Sequence, residues 1–346
     1  MIISFERTFI VAELSANHHG SLDIALRTLE AMKEAGADAI KLQTYKPETM
    51  TLKVDRADFR INQGTVWDGE HLYDLYAKAM TPWEWHDTLF KKAAELGMFC
   101  FSSPFDSTAV DFLEQFNPPA YKIASFEITD IPLIEYAASK KRPMIISTGV
   151  ATLDDINEAI NACRRVGNDD ITLLKCTSAY PAPLEEMNLA TIPDMINRFG
   201  VKVGLSDHTM SLAAPVAAVA LGARMIEKHF ILDRRLGGAD SSFSLEPEEF
   251  GAMVQAVRET EKLLGSITYE LSPKTLASRE LARSLYVVED IGEGELLTTN
   301  NIRAIRPGFG LAPKYLPAIL GKRAKRFLAK GTPLAIDDIE GELTLT

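Results

Sequence analysis

Short apolar runs alternate along the chain with segments of helical periodicity. Eight runs rich in β-branched and aromatic residues recur, at residues 9–14, 39–45, 98–103, 120–125, 144–149, 171–177, 202–207 and 225–230. Their nearly continuous hydrophobicity, in place of strict alternation, is typical of parallel strands buried on both faces. A helical pattern follows promptly after each run except the second. The pattern therefore predicts eight strands alternating with helices.

Two of the helical segments carry recognisable end signals. In the first, Ser21 is a predicted N-cap and Gly36 a predicted stop. In the second, we predict Thr81 as the cap, Pro82 at the first helical position and Gly97 at the end. Other helical patterns cover residues 152–166, 187–199, 210–223 and 247–264. This repeated order predicts a closed (β/α)8 TIM barrel, with a doubly wound open sheet as the alternative.

The length of 346 residues leaves room for a barrel of about 250 residues and one small domain. We assign residues 1–265 to the barrel, 266–284 to a linker, and 285–346 to a β-rich domain punctuated by glycine and proline turns. The connection 46–80 is too long for a simple loop. Long loops at the carboxyl end of barrel strands usually carry function.

Composition and charge exclude several classes of protein. No apolar run approaches the roughly 20 residues that span a bilayer, and Glu6 and Arg7 interrupt the first apolar stretch, so we expect a cytoplasmic protein without a membrane partner. A net charge of −11 argues against a nucleic-acid partner. Three cysteines without ligand spacing predict neither a disulfide scaffold nor a zinc knot.

Polar residues stand at the end of every predicted strand, where TIM barrels place their active sites. Lys41 and Lys122 end the second and fourth strands among small hydroxyl residues. The hydroxyls at these positions are Ser103, Ser125, Ser147 and Ser206. Ammonium groups beside hydroxyls suit an anion such as phosphate or carboxylate. The set predicts a phosphorylated or carboxylated substrate.

His208 and His229 end consecutive predicted strands, so their imidazoles can converge on one ion. Glu227 or Asp207 is a further ligand or a neighbour that orients the ligands. Two imidazoles with oxygen ligands suit Mn²⁺ or Mg²⁺, where the ion acts as a Lewis acid. The sequence leaves open whether three nearby residues contribute to the site: His18, His19 and Glu227.

Nine ordered segments carry a family resemblance: AELSANHHGSLDIA, IKLQTY, FSSPFD, YKIASFE, STGVAT, CTSAYPAP, GLSDHT, GARMIEKHF and IRPGFGL. Over nearly its whole length, the chain resembles the N-acetylneuraminate (sialic acid) synthase family. The resemblance implies a TIM barrel followed by an antifreeze-like (SAF) domain, and condensation of phosphoenolpyruvate with an amino-sugar aldehyde. The wording of AELSANH, WDGEHLYDLY, TPWEWH and RSLYVVEDI is most similar to the pseudaminic acid synthases of that family.

The resemblance also implies roles for individual residues. Glu13 is the expected catalytic carboxylate, and His208 and His229 are the expected metal ligands, with Mn²⁺ favoured and Mg²⁺ or Co²⁺ possible. Arg306 is expected to enter the partner's site in a domain-swapped homodimer, and Tyr180 and Asp240 to bind the sugar. Phosphoenolpyruvate would be held by Lys41, Ser103, Lys122, Ser125, Ser147, Ser178 and Ser206.

Departures from the sialic acid synthases bear on the sugar. Ser103 stands where those enzymes typically have Thr, and Ser178 stands where they often have Asn. The segment GGADSSFSL replaces their corresponding loop. We therefore expect 2,4-diacetamido-2,4,6-trideoxy-altrose as the sugar, with a legionaminic or N-acetylneuraminic acid synthase as the alternative. A Schiff-base aldolase using Lys41 or Lys122 is a different class, but it has no need of the histidine pair. A non-enzymatic sugar-binding protein would leave the polar strand ends unexplained.

Overall fold

A computed structural model describes residues 3, 5–62, 64 and 67–341. By its internal contacts the chain divides into two compact units, Met1–Gly265 and Ser266–Thr346. No helix among the described residues is long and apolar enough to cross a membrane.

The first unit is a closed barrel. In the part of the chain that is described, eight parallel strands pair in sequence order and the eighth pairs with the first. They are β1 (Phe9–Glu13), β2 (Ala39–Thr44), β3 (Phe99–Pro104), β4 (Tyr121–Ile123), β5 (Met144–Ser147), β6 (Ile171–Cys176), β7 (Lys202–Asp207) and β8 (Met225–His229). The predicted TIM barrel is confirmed, and the open sheet is excluded because β1 and β8 are hydrogen-bonded neighbours.

Helices surround the strands, and the register between strands brings their polar ends level. Glu13 at the end of β1 is aligned with Lys41 in β2 and with His229 in β8. The helices of this unit are α1 (Leu22–Glu34), α2 (Pro47–Met50), α3 (Leu72–Ala79), α4 (His86–Glu95), α5 (Ser107–Glu114), α6 (Ile131–Ser139), α7 (Leu153–Arg165), α8 (Thr191–Phe199), α9 (Ala213–Ala220) and α10 (Pro247–Leu264).

The two predicted helix starts have different outcomes. Ser21 caps α1, where its side chain accepts a hydrogen bond from the backbone N–H of Ile24. Thr81 does not cap α4. Pro82 keeps an extended backbone, a 3₁₀ turn spans Trp83–Trp85, and α4 begins only at His86. The Thr81 hydroxyl therefore lies one short turn too early, and it has no hydrogen-bond partner among the described residues.

The barrel interior is apolar over its amino-terminal and middle layers. The buried side chains packed there are Phe9, Val11, Ala39, Phe101, Ala120, Ile145, Leu174 and Met225. A second, larger apolar core lies between the strands and the helices. Apolar filling stops toward the carboxyl ends of the strands, which leaves that end of the barrel for polar side chains.

The second unit has its own small core. Antiparallel strands β9 (Ser284–Val287) and β10 (Ile302–Ile305) pair with each other, and the short helix α12 (Leu316–Ile319) follows. The segment predicted as a linker, 266–284, contains helix α11 (Pro273–Arg279), which Ser272 caps. Residues 262–283 are nevertheless exposed throughout.

Candidate active site

A cluster of buried charges lies at the carboxyl end of the barrel. Glu227 accepts three hydrogen bonds on Oε1, from Lys41 Nζ at 3.0 Å, Lys122 Nζ at 3.1 Å and Ser206 Oγ at 3.1 Å. Lys41 Nζ also lies 2.6 Å from Glu13 Oε2. Four adjacent or facing strands thus bring two ammonium groups and two carboxylates together away from water.

These charges set each other's protonation. Burial lowers the pKa of Lys41 to about 8, although the nearby Glu227 carboxylate opposes that shift. Burial alone would raise the pKa of Glu227, but the ammonium groups of Lys122 and Lys41 hold that pKa well below its ordinary value. Glu227 is therefore the fixed anion of the cluster. Lys41 is a cation that is unusually ready to give up its proton.

Hydroxyl groups surround the two lysines. Ser103 and Ser147 are buried, and their hydroxyls make no hydrogen bond to any described residue. Such groups are costly unless a ligand or water satisfies them. Ser125 Oγ accepts a hydrogen bond from Gly149 N at 3.1 Å. A Cβ atom on Gly149 would lie 2.1 Å from Ser178 Oγ and 2.9 Å from Ser125 Oγ, so this glycine lets the two hydroxyls approach the backbone.

The predicted histidine pair forms. The ring centroids of His208 and His229 are 5.4 Å apart. His208 Nδ1 lies 3.1 Å from the carbonyl oxygen of Thr177, so this nitrogen donates. Burial alone would lower the pKa of His208, but the adjacent Cys176 raises it. His229 Nδ1 is buried and makes no hydrogen bond within the described residues. Burial and the neighbouring His208 hold the pKa of His229 well below its usual value, which favours the neutral form that binds metals.

The residues present fit a divalent ion held by two imidazoles. Among the residues that are described, no group of three or more His, Cys, Asp and Glu side chains is arranged to hold a metal. Two imidazoles alone would leave the other coordination positions of an ion open to water or substrate, which is the arrangement that catalytic metal sites use.

Asp207 is not a candidate ligand, contrary to one of the two possibilities left by the sequence. Its Oδ2 accepts a hydrogen bond from Lys228 Nζ at 2.8 Å, and its Oδ1 accepts one from Thr209 N at 2.9 Å. Lys228 also donates to the carbonyl oxygen of Thr209. Successive side chains of a strand point to opposite faces, so Asp207 and Lys228 lie on the outer side, behind the histidines. The pair is fully buried.

The predicted sugar-side residues Tyr180 and Asp240 lie near the histidines. The ring centroids of Tyr180 and His208 are 4.4 Å apart. Asp240 is buried, which raises its pKa, and it accepts hydrogen bonds from Ser15 Oγ and from Ala16 N at 3.2 Å. Both residues therefore border the same end of the barrel as the histidine pair.

The other candidate residues named from the sequence, His18, His19 and Arg306, lie in three different environments. His18 is buried edge-on against Trp85, with ring centroids 5.4 Å apart, and burial lowers its pKa to about 4. The ring of His19 packs against Gly238, where an added Cβ would lie only 2.9 Å from it. Arg306 belongs to the second unit, where it is exposed, and its predicted role remains a prediction.

Sequence reasoning missed three residues of this region. Trp67 lies in the long connection between β2 and α4, and Phe243 follows β8; both contact Tyr180. Gly149 lies within the motif STGVAT, and the family resemblance assigns it no role of its own. A glycine directly after a barrel strand was the one available indication that backbone and ligand-binding hydroxyls meet there.

Comparison with known proteins identifies the family of the chain. Residues 28–269 match the NeuB family and residues 282–340 match the SAF domain. The chain is 52% identical to a pseudaminic acid synthase of Helicobacter pylori, over 96% of this chain and 98% of that protein. It is 37% identical to an N,N'-diacetyllegionaminic acid synthase of Legionella pneumophila, over 96% of this chain and 94% of that protein.

A solved structure has the same fold. It is an N-acetylneuraminic acid (sialic acid) synthetase from Leptospira borgpetersenii in complex with citrate, with a TM-score of 0.71 and 29% identity over 80% of this chain and 92% of that chain. The family match spans most of the chain, and the relatives align over nearly the full length of both proteins. The chain therefore belongs to the NeuB family, and its residues 282–340 form a SAF domain.

Proposed function

We propose that this chain is a pseudaminic acid synthase, which joins phosphoenolpyruvate to 2,4-diacetamido-2,4,6-trideoxy-altrose with release of phosphate. The observation that carries the proposal is the buried cluster of Lys41 and Lys122 around Glu227, next to the histidine pair. The identity of the sugar rests on relatives of 52% and 48% identity, from Helicobacter pylori and Campylobacter jejuni, that are named pseudaminic acid synthases.

Phosphoenolpyruvate binds at the lysine side of the site. Its phosphate and carboxylate are received by the ammonium groups of Lys41 and Lys122 and by the surrounding serine hydroxyls. The hydroxyls of Ser103 and Ser147, which have no partner among the described residues, gain one from the ligand. The hydroxyls of the binding set are those of Ser103, Ser125, Ser147, Ser178 and Ser206.

His208 and His229 would hold a divalent ion, with Mn²⁺ favoured and Mg²⁺ or Co²⁺ as alternatives. When bound, the ion supplies Lewis-acid polarisation of the open-chain sugar's aldehyde oxygen. The two histidines would fix where that ion sits. A neutral imidazole suits this role, and burial keeps the pKa of His229 low.

The reaction forms one C–C bond and breaks one C–O bond. C3 of phosphoenolpyruvate attacks the aldehyde carbon, and the aldehyde oxygen takes a proton to become a hydroxyl. The Glu13 carboxylate stabilises the positive charge that develops at C2 and accepts a proton from the water that adds there. The C–O bond of the tetrahedral intermediate then breaks, and phosphate leaves with the bridging oxygen.

Phosphate release tests the proposal directly. The purified chain is offered phosphoenolpyruvate and Mn²⁺ with N-acetylmannosamine, the altro sugar and its manno isomer in parallel. We expect release with the altro sugar, and [2-18O]phosphoenolpyruvate should yield labelled phosphate. If only N-acetylmannosamine reacts, the sugar assignment is wrong. Activity that survives chelation and is trapped by borohydride would support the Schiff-base aldolase instead.

The proposal includes a homodimer in which Arg306 of each chain enters the other chain's site. A fixed guanidinium suits a carboxylate or an acyl oxygen of the sugar. Removal of residues 281–346 should leave a folded barrel with little activity, and Arg306→Ala should act in the same direction in the full chain. Full activity of the shortened chain would exclude this role.

A further inference from the structure

Three aromatic side chains, which we call the aromatic wall, stand beside the histidine pair; Tyr180 is a predicted sugar-binding residue, and the other two have no role in the reaction described above. The wall consists of Trp67, Tyr180 and Phe243. Ring centroids are 5.5 Å apart for Trp67 and Tyr180, 6.3 Å for Trp67 and Phe243, and 5.0 Å for Tyr180 and Phe243. Each ring therefore contacts the other two. Phe243 is buried, with 1% of its surface exposed, whereas Trp67 and Tyr180 are half-buried, so these two rings are the ones that can offer a face to a ligand.

Trp67 reaches the wall from a distant part of the chain. It belongs to the long connection between β2 and α4, in the segment WDGEHLYDLY. Its indole Nε1 donates a hydrogen bond to the carbonyl oxygen of Ala239, 172 residues later, at 3.0 Å. This bond ties the connection to the loop after β8, which also carries Asp240. The indole plane is thus held in place by a directional contact as well as by packing.

The wall adjoins the histidines. Phe243 lies 5.0 Å from His229 and 6.3 Å from His208 between ring centroids, and Tyr180 lies 4.4 Å from His208. The lysine cluster and its hydroxyls bind the anionic substrate. A sugar whose aldehyde is near the histidines must extend its other carbons away from that anion, and the aromatic wall is the surface available to them.

We propose that Trp67 determines sugar specificity, because together with Tyr180, and with Phe243 packed against both rings, it receives the apolar groups of the sugar. Those groups are the acetamido methyls and the C6 methyl of a 2,4-diacetamido-2,4,6-trideoxy sugar. Aromatic faces gain from covering methyl groups, whereas a hydroxyl pressed against them loses its hydrogen bonds to water. This inference rests on the proposed function and adds a residue that selects among its sugars.

The expected size of the effect follows from apolar pockets in general. Such pockets separate ligands that differ by a methyl or a hydroxyl by about 10-fold to 200-fold. Loss of the indole should therefore lower kcat/KM for the diacetamido-trideoxy sugar by at least about tenfold. The KM for phosphoenolpyruvate should change by less than about twofold, since that substrate binds on the lysine side.

The test compares Trp67→Ala and Trp67→Phe with the unaltered chain, using phosphate release with the altro sugar and with N-acetylmannosamine. Trp67→Ala should reduce the ratio of the two kcat/KM values, mainly through the sugar KM. Trp67→Phe keeps an aromatic face and should recover part of the ratio. An unchanged ratio in Trp67→Ala would overturn the inference. If Trp67→Ala does not fold, the same comparison is made with Trp67→Phe and Phe243→Leu.

Trp83 provides a matched control. It is also a half-buried tryptophan whose Nε1 donates to a backbone carbonyl, that of Tyr45 at 3.1 Å, but its ring stacks on Phe112 outside the aromatic wall. Trp83→Ala should leave the sugar ratio unchanged, and an equal fall in both variants would show a general effect of losing an indole. If the unaltered chain releases phosphate with none of the sugars, the proposed function itself fails and the inference fails with it.

Discussion

The two ends of the barrel interior are built from the same eight strands, yet they differ in chemistry. From the amino end to the middle, the interior is filled by apolar side chains such as Phe9, Ile145 and Met225, which have no more than 4% of their surface exposed. At the carboxyl end, the interior holds charged groups at the same depth of burial, including Glu13 and Lys122. Burial stabilises the first end and is costly at the second.

This difference indicates what each end is for. Apolar burial contributes about 25 cal/mol per Å² to folding, so the amino end needs no further explanation. Buried charges lose their hydration, and their mutual attraction often fails to offset that loss. The cluster around Glu227 therefore contributes little to the stability of the fold, and its presence indicates that this end of the barrel binds a ligand. Substitutions at the carboxyl end should affect chemistry, and substitutions elsewhere should affect folding.

The largest effect is expected for His229→Asn. Under the proposed mechanism, loss of one of the two imidazoles removes a ligand of the ion that would polarise the aldehyde, so kcat should fall by about 10³-fold, comparable to the loss of a key oxyanion donor. Phosphoenolpyruvate affinity should change little, because Lys41 and Lys122 remain. Phosphate release and a direct Mn²⁺ binding measurement check both parts.

His86→Asn is the matched control for that substitution. His86 is also a buried histidine, but it lies in helix α4, where its Nε2 is 2.8 Å from Thr44 Oγ1. This variant should lose stability while the folded protein retains phosphate release. If both histidine substitutions lowered kcat equally, the distinction between the two regions would not hold.

Lys228→Met tests an exception to this rule. Lys228 lies at the carboxyl end of the barrel, but its substitution should affect stability and not chemistry. Removal of the ammonium group leaves the fully buried Asp207 carboxylate without its partner. Breaking a buried ion pair in this way costs about 3–5 kcal/mol, and replacing both partners by apolar groups can be nearly neutral. Urea unfolding should therefore show a large loss for Lys228→Met and recovery in Asp207→Leu/Lys228→Met.

An exposed pair gives the reference for this measurement. Arg198 and Asp194 form an ion pair at 2.9 Å on the surface of α8. Arg198→Met should have little effect on unfolding, because exposed pairs are screened by solvent. A loss in Lys228→Met no greater than that in Arg198→Met would show that Asp207 is not dependent on its partner.

The fold followed from the sequence because buried parallel strands are nearly continuous apolar runs. The run 202–207 coincides with β7, and the other strands begin and end within two residues of their predicted bounds. The start of α4 could not be placed, since Pro82 is compatible with both a first helical residue and an extended one. In that case local preference did not distinguish the two conformations.

Part of the candidate site could be predicted from the sequence. Strand-end positions located Lys41, Lys122 and the histidines, because closure of a barrel brings all carboxyl ends to one face. The alternation of side chains could also have separated Asp207 from Glu227. Asp207 is adjacent to His208 and so points to the opposite face, whereas Glu227 lies two residues before His229 and points to the same face. Trp67 could not be placed, because its contacts with Tyr180 and Ala239 depend on the path of a long connection.

Gly149→Ala should have a smaller effect, confined to the functional end. The added methyl group would meet Ser178 Oγ, Ser125 Oγ and, at 3.0 Å, Cys176 Sγ. The two hydroxyls can rotate away and the thiol must shift slightly, so the loss of stability should be small. The displaced hydroxyls no longer face phosphoenolpyruvate, and its KM should rise by about tenfold, the effect of roughly one hydrogen bond to a charged group. The melting temperature and the KM for each substrate check this. A large fall in melting temperature with an unchanged KM would contradict it.

The smallest effect expected near pH 8 comes from a pH limb set by Lys41. Burial lowers the pKa of this lysine to about 8, so the ammonium group that binds phosphoenolpyruvate is lost as the pH rises above that value. kcat/KM for phosphoenolpyruvate should then fall, approaching tenfold per pH unit. Loss of folding through Lys41 cannot cause this limb. Between the folded pKa of about 8 and the ordinary value of 10.5, the unfolded chain binds one more proton than the folded chain. The contribution of Lys41 to the free energy of unfolding therefore increases as the pH rises through this range.

Two substitutions identify the group responsible for that limb. Lys41→Arg keeps its charge at every accessible pH, so the limb should disappear even though the KM is altered. Burial raises the pKa of Cys176, but the adjacent His208 lowers it to about 7, which puts a second titrating group in the same range. Cys176→Ser should therefore retain the limb near pH 8. If Cys176→Ser removed the limb and Lys41→Arg did not, the thiol would be the titrating group. The lysine cluster would then stay fully charged across the working range of the site.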